Sequence, residues 1–65
     1  MSTETLREVV RADGATVRLT RTRYGALASQ TWCIELVRPT GIEARVALFE
    51  ADALRAFDRV VGGAS

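Results

Sequence analysis

The sequence predicts an α+β domain: a four-stranded antiparallel sheet made of two successive hairpins and closed by one C-terminal helix, in the order β-β-β-β-α. Three observations predict it. Asp13-Gly14 and Pro39-Thr40-Gly41 are turn signals set between stretches rich in β-formers. Those stretches alternate apolar and polar residues at period two. Beyond Phe49 the apolar spacing changes to that of a helix, and it does so only once.

Taken in order, Leu6–Ala12 leads into the first turn, and its Leu6, Val9 and Val10 fit either a strand or one face of a short helix. Residues 1–4 before it are expected to be a flexible tail. Ala15–Tyr24 alternates Val17 and Leu19 against Arg18 and Thr20, as a half-buried strand does. Tyr24–Gln30 reads as a connection. Thr31–Arg38 is dense in β-formers and suits a central strand. Ile42–Phe49 alternates again and completes the second hairpin. A helix is expected from Ala51 to Val61, with Leu54, Phe57, Val60 and Val61 on one stripe. Glu50 and Asp52 stand at its positive end and Arg59 near its negative end. Gly62-Gly63 stops it, leaving 62–65 as a tail.

Period two also sorts the strands into faces. Val17, Leu19, Trp32, Ile34 and Leu36, with Ile42, Ala44, Val46 and Leu48, are expected on the core face beneath the helix. The opposite face would hold Cys33, Val37, Ala47 and Phe49 as an apolar patch, a candidate interface. Glu35 and Glu43 would lie on that same face, either facing each other across the second hairpin as an acid pair or serving as cross-strand partners of Arg45 or Arg18.

Sixty-five residues make a single domain, 1–65, and a chain so short buries only about 60% of its unfolded surface. Such scaffolds usually need a disulfide, a metal or a partner chain. The lone Cys33 excludes an internal disulfide, and without His a structural zinc site is disfavoured. Self-association is what remains, and 48% hydrophobic content points the same way. One helix, about 10 Å wide, is also too narrow to roof four strands spaced ~4.8 Å apart, so Trp32 or Leu27 would need cover from a second chain. A homodimer is therefore expected.

The composition argues against an enzyme. The commonest general base is absent, and Cys33, between Trp32 and Ile34, has no cation beside it in sequence to activate it. No motif implies a cofactor or a metal. What leans toward a partner is the stretch between Asp13 and Glu35, which contains no acid and opens with Arg18, Arg21, Arg23 and Tyr24. With Arg45 these are the candidate nucleic-acid-binding residues, since arginine beside an aromatic can follow phosphates and stack bases. Parity sends Arg18 to the open face but gives Arg21 and Arg23 the side of Val17 and Leu19. A polyanion site would then lie at the strand end. The net charge of only +1 weighs against a dedicated nucleic-acid binder. Two functions follow as expectations: a regulatory module acting on single-stranded nucleic acid or the transcription machinery, or a protein–protein adaptor without nucleic-acid contact. Met1–Glu8 has no signal-peptide pattern and no apolar run approaches a membrane span, which with a lone thiol fits the cytoplasm.

Val17–Tyr24, then Cys33-Ile34-Glu35-Leu36, then Val46–Leu54 entering the helix together resemble the positive-cofactor-four family of transcriptional coactivators. That resemblance implies a dimer that binds single-stranded DNA on its sheet.

Overall fold

The computed structural model describes residues 1–25 and 29–63. Four strands, β1 (Ser2–Val10), β2 (Thr16–Tyr24), β3 (Ser29–Arg38) and β4 (Gly41–Ala47), form one antiparallel sheet in the order β1-β2-β3-β4. The helix α1 (Glu50–Val61) follows. This is the α+β architecture expected. Leu27 lies outside the described residues.

The N-terminus departs from expectation. Residues 2–4 are not a tail but the start of β1, with Ser2 opposite Arg23 and Thr3 opposite Thr22. The register shifts between Thr5 and Arg7, leaving Leu6 as the extra residue of a bulge. That bulge breaks the alternation, which is why Leu6, Val9 and Val10 read equally well as a helix face.

Each hairpin is set by its turn. In the first, the Gly14 N–H donates to the Arg11 carbonyl at 3.0 Å, so Ala12-Asp13 are the central pair and Gly14 follows them at φ +87°. This is the three-residue loop with a left-handed glycine, one position out of the frame expected for Asp13-Gly14. The Asp13 carboxylate accepts the Ala15 N–H at 3.1 Å and fixes the corner.

In the second hairpin only Pro39 and Thr40 lie in the loop, and Arg38 pairs directly with Gly41. Proline fixes φ near −65°, which excludes the primed turns whose twist matches the strands. Gly41, at φ +154°, takes up the mismatch as a side-chain-bearing residue rarely can.

That two-residue turn decides the faces of β4. Arg38 opposite Gly41 forces Val37 opposite Ile42, Leu36 opposite Glu43 and Ile34 opposite Arg45. A turn one residue longer would have flipped the whole strand. Ile42, Ala44 and Val46 therefore leave the core face, contrary to the sequence reading, and Leu48 beyond the strand is exposed as well. Glu43, Arg45 and Ala47 take the helix side instead. Glu35 and Glu43 thus end on opposite faces, and Glu43 reaches Arg38 at 3.9 Å.

The core is accordingly narrow: Ala15, Val17, Leu19, Trp32, Ile34 and Leu36 from β2, β3 and the first turn, sealed by Ala53 and Phe57 of α1. Leu54, Ala56, Val60 and Val61 flank it, so the expected stripe holds with Ala53 and Phe57 at its centre. The helix starts from Phe49 without a side-chain cap, but Glu50 and Asp52 occupy its first turn and Arg59 its last. Among the described residues no helix is long and apolar enough to cross a membrane.

Candidate functional site

The side of the sheet away from α1 is built in rows that cross the strands. Val10, Thr16, Val37 and Ile42 make one row, and Glu8, Arg18, Glu35 and Ala44 the next. Thr5, Thr20, Cys33 and Val46 make the third. Val10 is 68% exposed, Ile42 65% and Val46 68%. Val37 meets Ile42 across β3 and β4, Ala44 links Ile42 to Val46 along β4, and Thr16 stands between Val37 and Val10. The apolar strip therefore lies on β3 and β4 with Val10 at its margin. Exposed apolar residues scattered singly need no explanation, but a contiguous strip does.

The charged row is mostly self-neutralised. Arg18 Nε donates to Glu8 at 2.9 Å, and that bond, with the attraction of Glu8, raises the arginine's pKa further. Glu35 stands opposite Arg18 on the other flank. The open face thus carries Arg18 against Glu8 and Glu35, a balance that does not favour a polyanion.

Of the expected interface residues, Cys33 and Val37 do share this face. Ala47 does not: it lies on the helix side, opposite Trp32, packed against the core. Phe49 is the helix N-cap residue and stands exposed beyond the end of β4. The patch expected from sequence is therefore split, and Ile42, Val46 and Val10 replace its missing members. The signal that could have located them is the pair Pro39-Thr40, read as a two-residue loop.

Burial, and secondarily the charge of Glu35, pushes the Cys33 thiol above its ordinary value. A raised thiol favours the neutral form in the fold. Its contribution to stability is present below the unfolded-state pKa and is lost as pH rises through the higher folded value. Cys33 is expected to react with iodoacetamide at pH 8 several-fold more slowly than a free thiol. Glu35→Gln should accelerate that reaction, as intact-mass kinetics would show; an unchanged rate would mean that Glu35 does not act on the thiol.

The candidate arginines do not form one site. Arg18 and Tyr24 belong to the open face, and the Tyr24 hydroxyl lies 3.4 Å from Thr31 Oγ1. Arg21, Arg23 and Arg45 belong to the helix side. Arg45 lines a groove with Ile34, Leu36, Glu43 and Arg59. Arg21 is not past the core as its parity at the strand end suggested. It pairs across the strands with Trp32 and is ion-paired to Glu4 of β1, whose carboxylate it holds below the usual range through a hydrogen bond and its charge. Arg21 Nε and Trp32 Nε1 are both buried without an acceptor among the described residues. Arg23, exposed, borders a depression with Gly25, Ser29 and Gln30.

No family model, no curated protein and no solved structure matches this chain.

Proposed function

We propose that this chain is a small non-enzymatic binding module that engages a protein partner through the open face of its sheet. The observation that carries the reading is the apolar strip of half-buried Val37 with exposed Ile42 and Val46, flanked by exposed Val10, beside a neutralised charged row. Such a surface loses unfavourable contact with water when a partner covers it, and its single charged row fixes orientation rather than supplying general affinity. The absence of His and the raised, half-buried Cys33 thiol support a role without catalysis.

A second reading, binding of single-stranded nucleic acid, is favoured by a different place. On the helix side the strands carry Arg7, Arg21, Arg23, Arg38 and Arg45 against Glu4 and Glu43. At the end of β2 the exposed Arg23 adjoins the two buried donors that lack an acceptor among the described residues. One experiment separates the two. Proteins retained from a lysate by the immobilised chain should be lost with Val10→Glu plus Val37→Glu and kept with Arg21→Ala plus Arg23→Ala. If labelled oligothymidylate binds instead, with a salt slope that the arginine variant flattens, the second reading replaces the first.

A further inference from the structure

β4 is an edge strand, and its seven residues are complementary to themselves. Read about Ala44, the segment Gly41-Ile42-Glu43-Ala44-Arg45-Val46-Ala47 places Ile42 against Val46 and Glu43 against Arg45 when a second copy runs antiparallel to it. We infer that the chain forms a homodimer through this edge, joining two sheets into one continuous sheet about a twofold axis at Ala44.

Backbone geometry allows it. Alternation from the turn-closing pair Arg38–Gly41 sends the N–H and C=O groups of Gly41, Glu43, Arg45 and Ala47 toward β3. Those of Ile42, Ala44 and Val46 point outward, free to pair. In the self-paired register Ala44 exchanges both bonds with its own copy, and Ile42 exchanges both with Val46 of the other. Glu43 and Arg45 then occupy the non-hydrogen-bonded positions, where side chains approach closest. Each seam so contains two opposite-charge pairs on the helix side and two Ile–Val pairs on the open face.

The other edge makes the contrast. β1 carries a bulge at Leu6 and the charged residues Glu4, Arg7 and Glu8, devices that discourage edge pairing. β4 has no bulge in its ladder with β3 and no proline within it. Leu48 and Phe49, 67% and 68% exposed, come beside the partner's Pro39-Thr40 loop in this register. Pairing would also bring the two apolar strips into one surface. A seam of one short strand is small, so association is expected at micromolar concentration, about the low end of specific interfaces.

The test is charge reversal followed by sedimentation velocity between about 1 and 200 µM, a range chosen for that affinity. Wild type should dimerise. Glu43→Arg alone, or Arg45→Glu alone, sets like charges opposite one another and should raise the dissociation constant roughly tenfold or more. The double variant Glu43→Arg plus Arg45→Glu restores complementarity and should dimerise again. An equimolar mixture of the two single variants should form the heterodimer. Ala44→Pro provides a control for folding, because it removes only an outward N–H and should yield a folded monomer by circular dichroism. A wild type that stays monomeric overturns the inference, as does a dimer indifferent to the single reversals and to Ala44→Pro. Val10 and Val37 play no part in this seam, so failure here leaves the docking-face reading standing, and the reverse holds as well.

Discussion

Phe57→Ala is expected to leave the isolated chain largely unfolded at 25 °C. Phe57 is 3% exposed and is, with Ala53, the part of α1 that seals the sheet. Truncating a buried phenylalanine costs about 3–5 kcal/mol, the lost transfer energy plus the cavity left behind. A core of this size rarely supplies more than about 3–5 kcal/mol in total. The helix has no reserve of its own. It spans twelve residues, near the length at which isolated helices are marginal, and its N-cap Phe49 makes no side-chain capping bond. Its packing is what keeps it helical, so losing Phe57 should release α1 and uncover Val17, Leu19 and Trp32 together. The readouts are far-ultraviolet circular dichroism and the emission of Trp32, the only tryptophan, which should shift to the red. A variant that still unfolds cooperatively, within about 1 kcal/mol of wild type, would show that the helix does not close the core.

The contrast between what was legible in the sequence and what was not follows from where information about faces resides. The fold class and the stripe of α1 were readable because each rests on spacing within one segment: Leu54, Phe57, Val60 and Val61 identify their own common side. Trp32, Ile34 and Leu36 were readable for the same reason. The faces of β4 were not, because alternation says which residues share a side but not which side faces the helix. That choice rests on one residue of loop length at Pro39-Thr40, and the natural assumption that apolar residues turn inward gave the opposite answer. The bulge at Leu6 hid the first strand in a similar way, through one residue without a partner. The arginines of β2 divided between faces as parity required, and Arg18 and Arg21 each find a glutamate on β1, Glu8 being one that a solvated, salt-bridged strand face would predict.

Turning the apolar residues of β4 outward has a consequence for the rest of the molecule. The helix side gains Glu43 and Arg45 at the margin of the core, and the open face gains Ile42 and Val46. Hydrophobic area that would have stabilised the monomer is placed where only another molecule can cover it. In a 65-residue chain that area adds little to the stability of the monomer, and the proposed association is what would remove it from water.

That arrangement is testable through stability alone. Ile34→Ala should cost about 2–5 kcal/mol, as for a buried isoleucine, whereas Val46→Ala should cost at most about 1 kcal/mol, the range of strand preference at an exposed site. Urea unfolding at submicromolar concentration keeps association out of the comparison. The double variant adds the sharper criterion. Ile34 lies beneath the helix at 3% exposure and Val46 is 68% exposed, and the register sends their side chains to opposite sides of the sheet. Their effects should add within about 0.5 kcal/mol. With a loop one residue longer, Val46 would stand directly opposite Ile34 in the core. Val46→Ala would then cost about as much as a buried valine is worth, roughly 1.5–3 kcal/mol, and the two substitutions would be coupled. A large single effect of Val46→Ala together with strong coupling to Ile34 would therefore place the apolar side of β4 inside. Near-neutrality with additivity is the result that the Arg38–Gly41 closure requires.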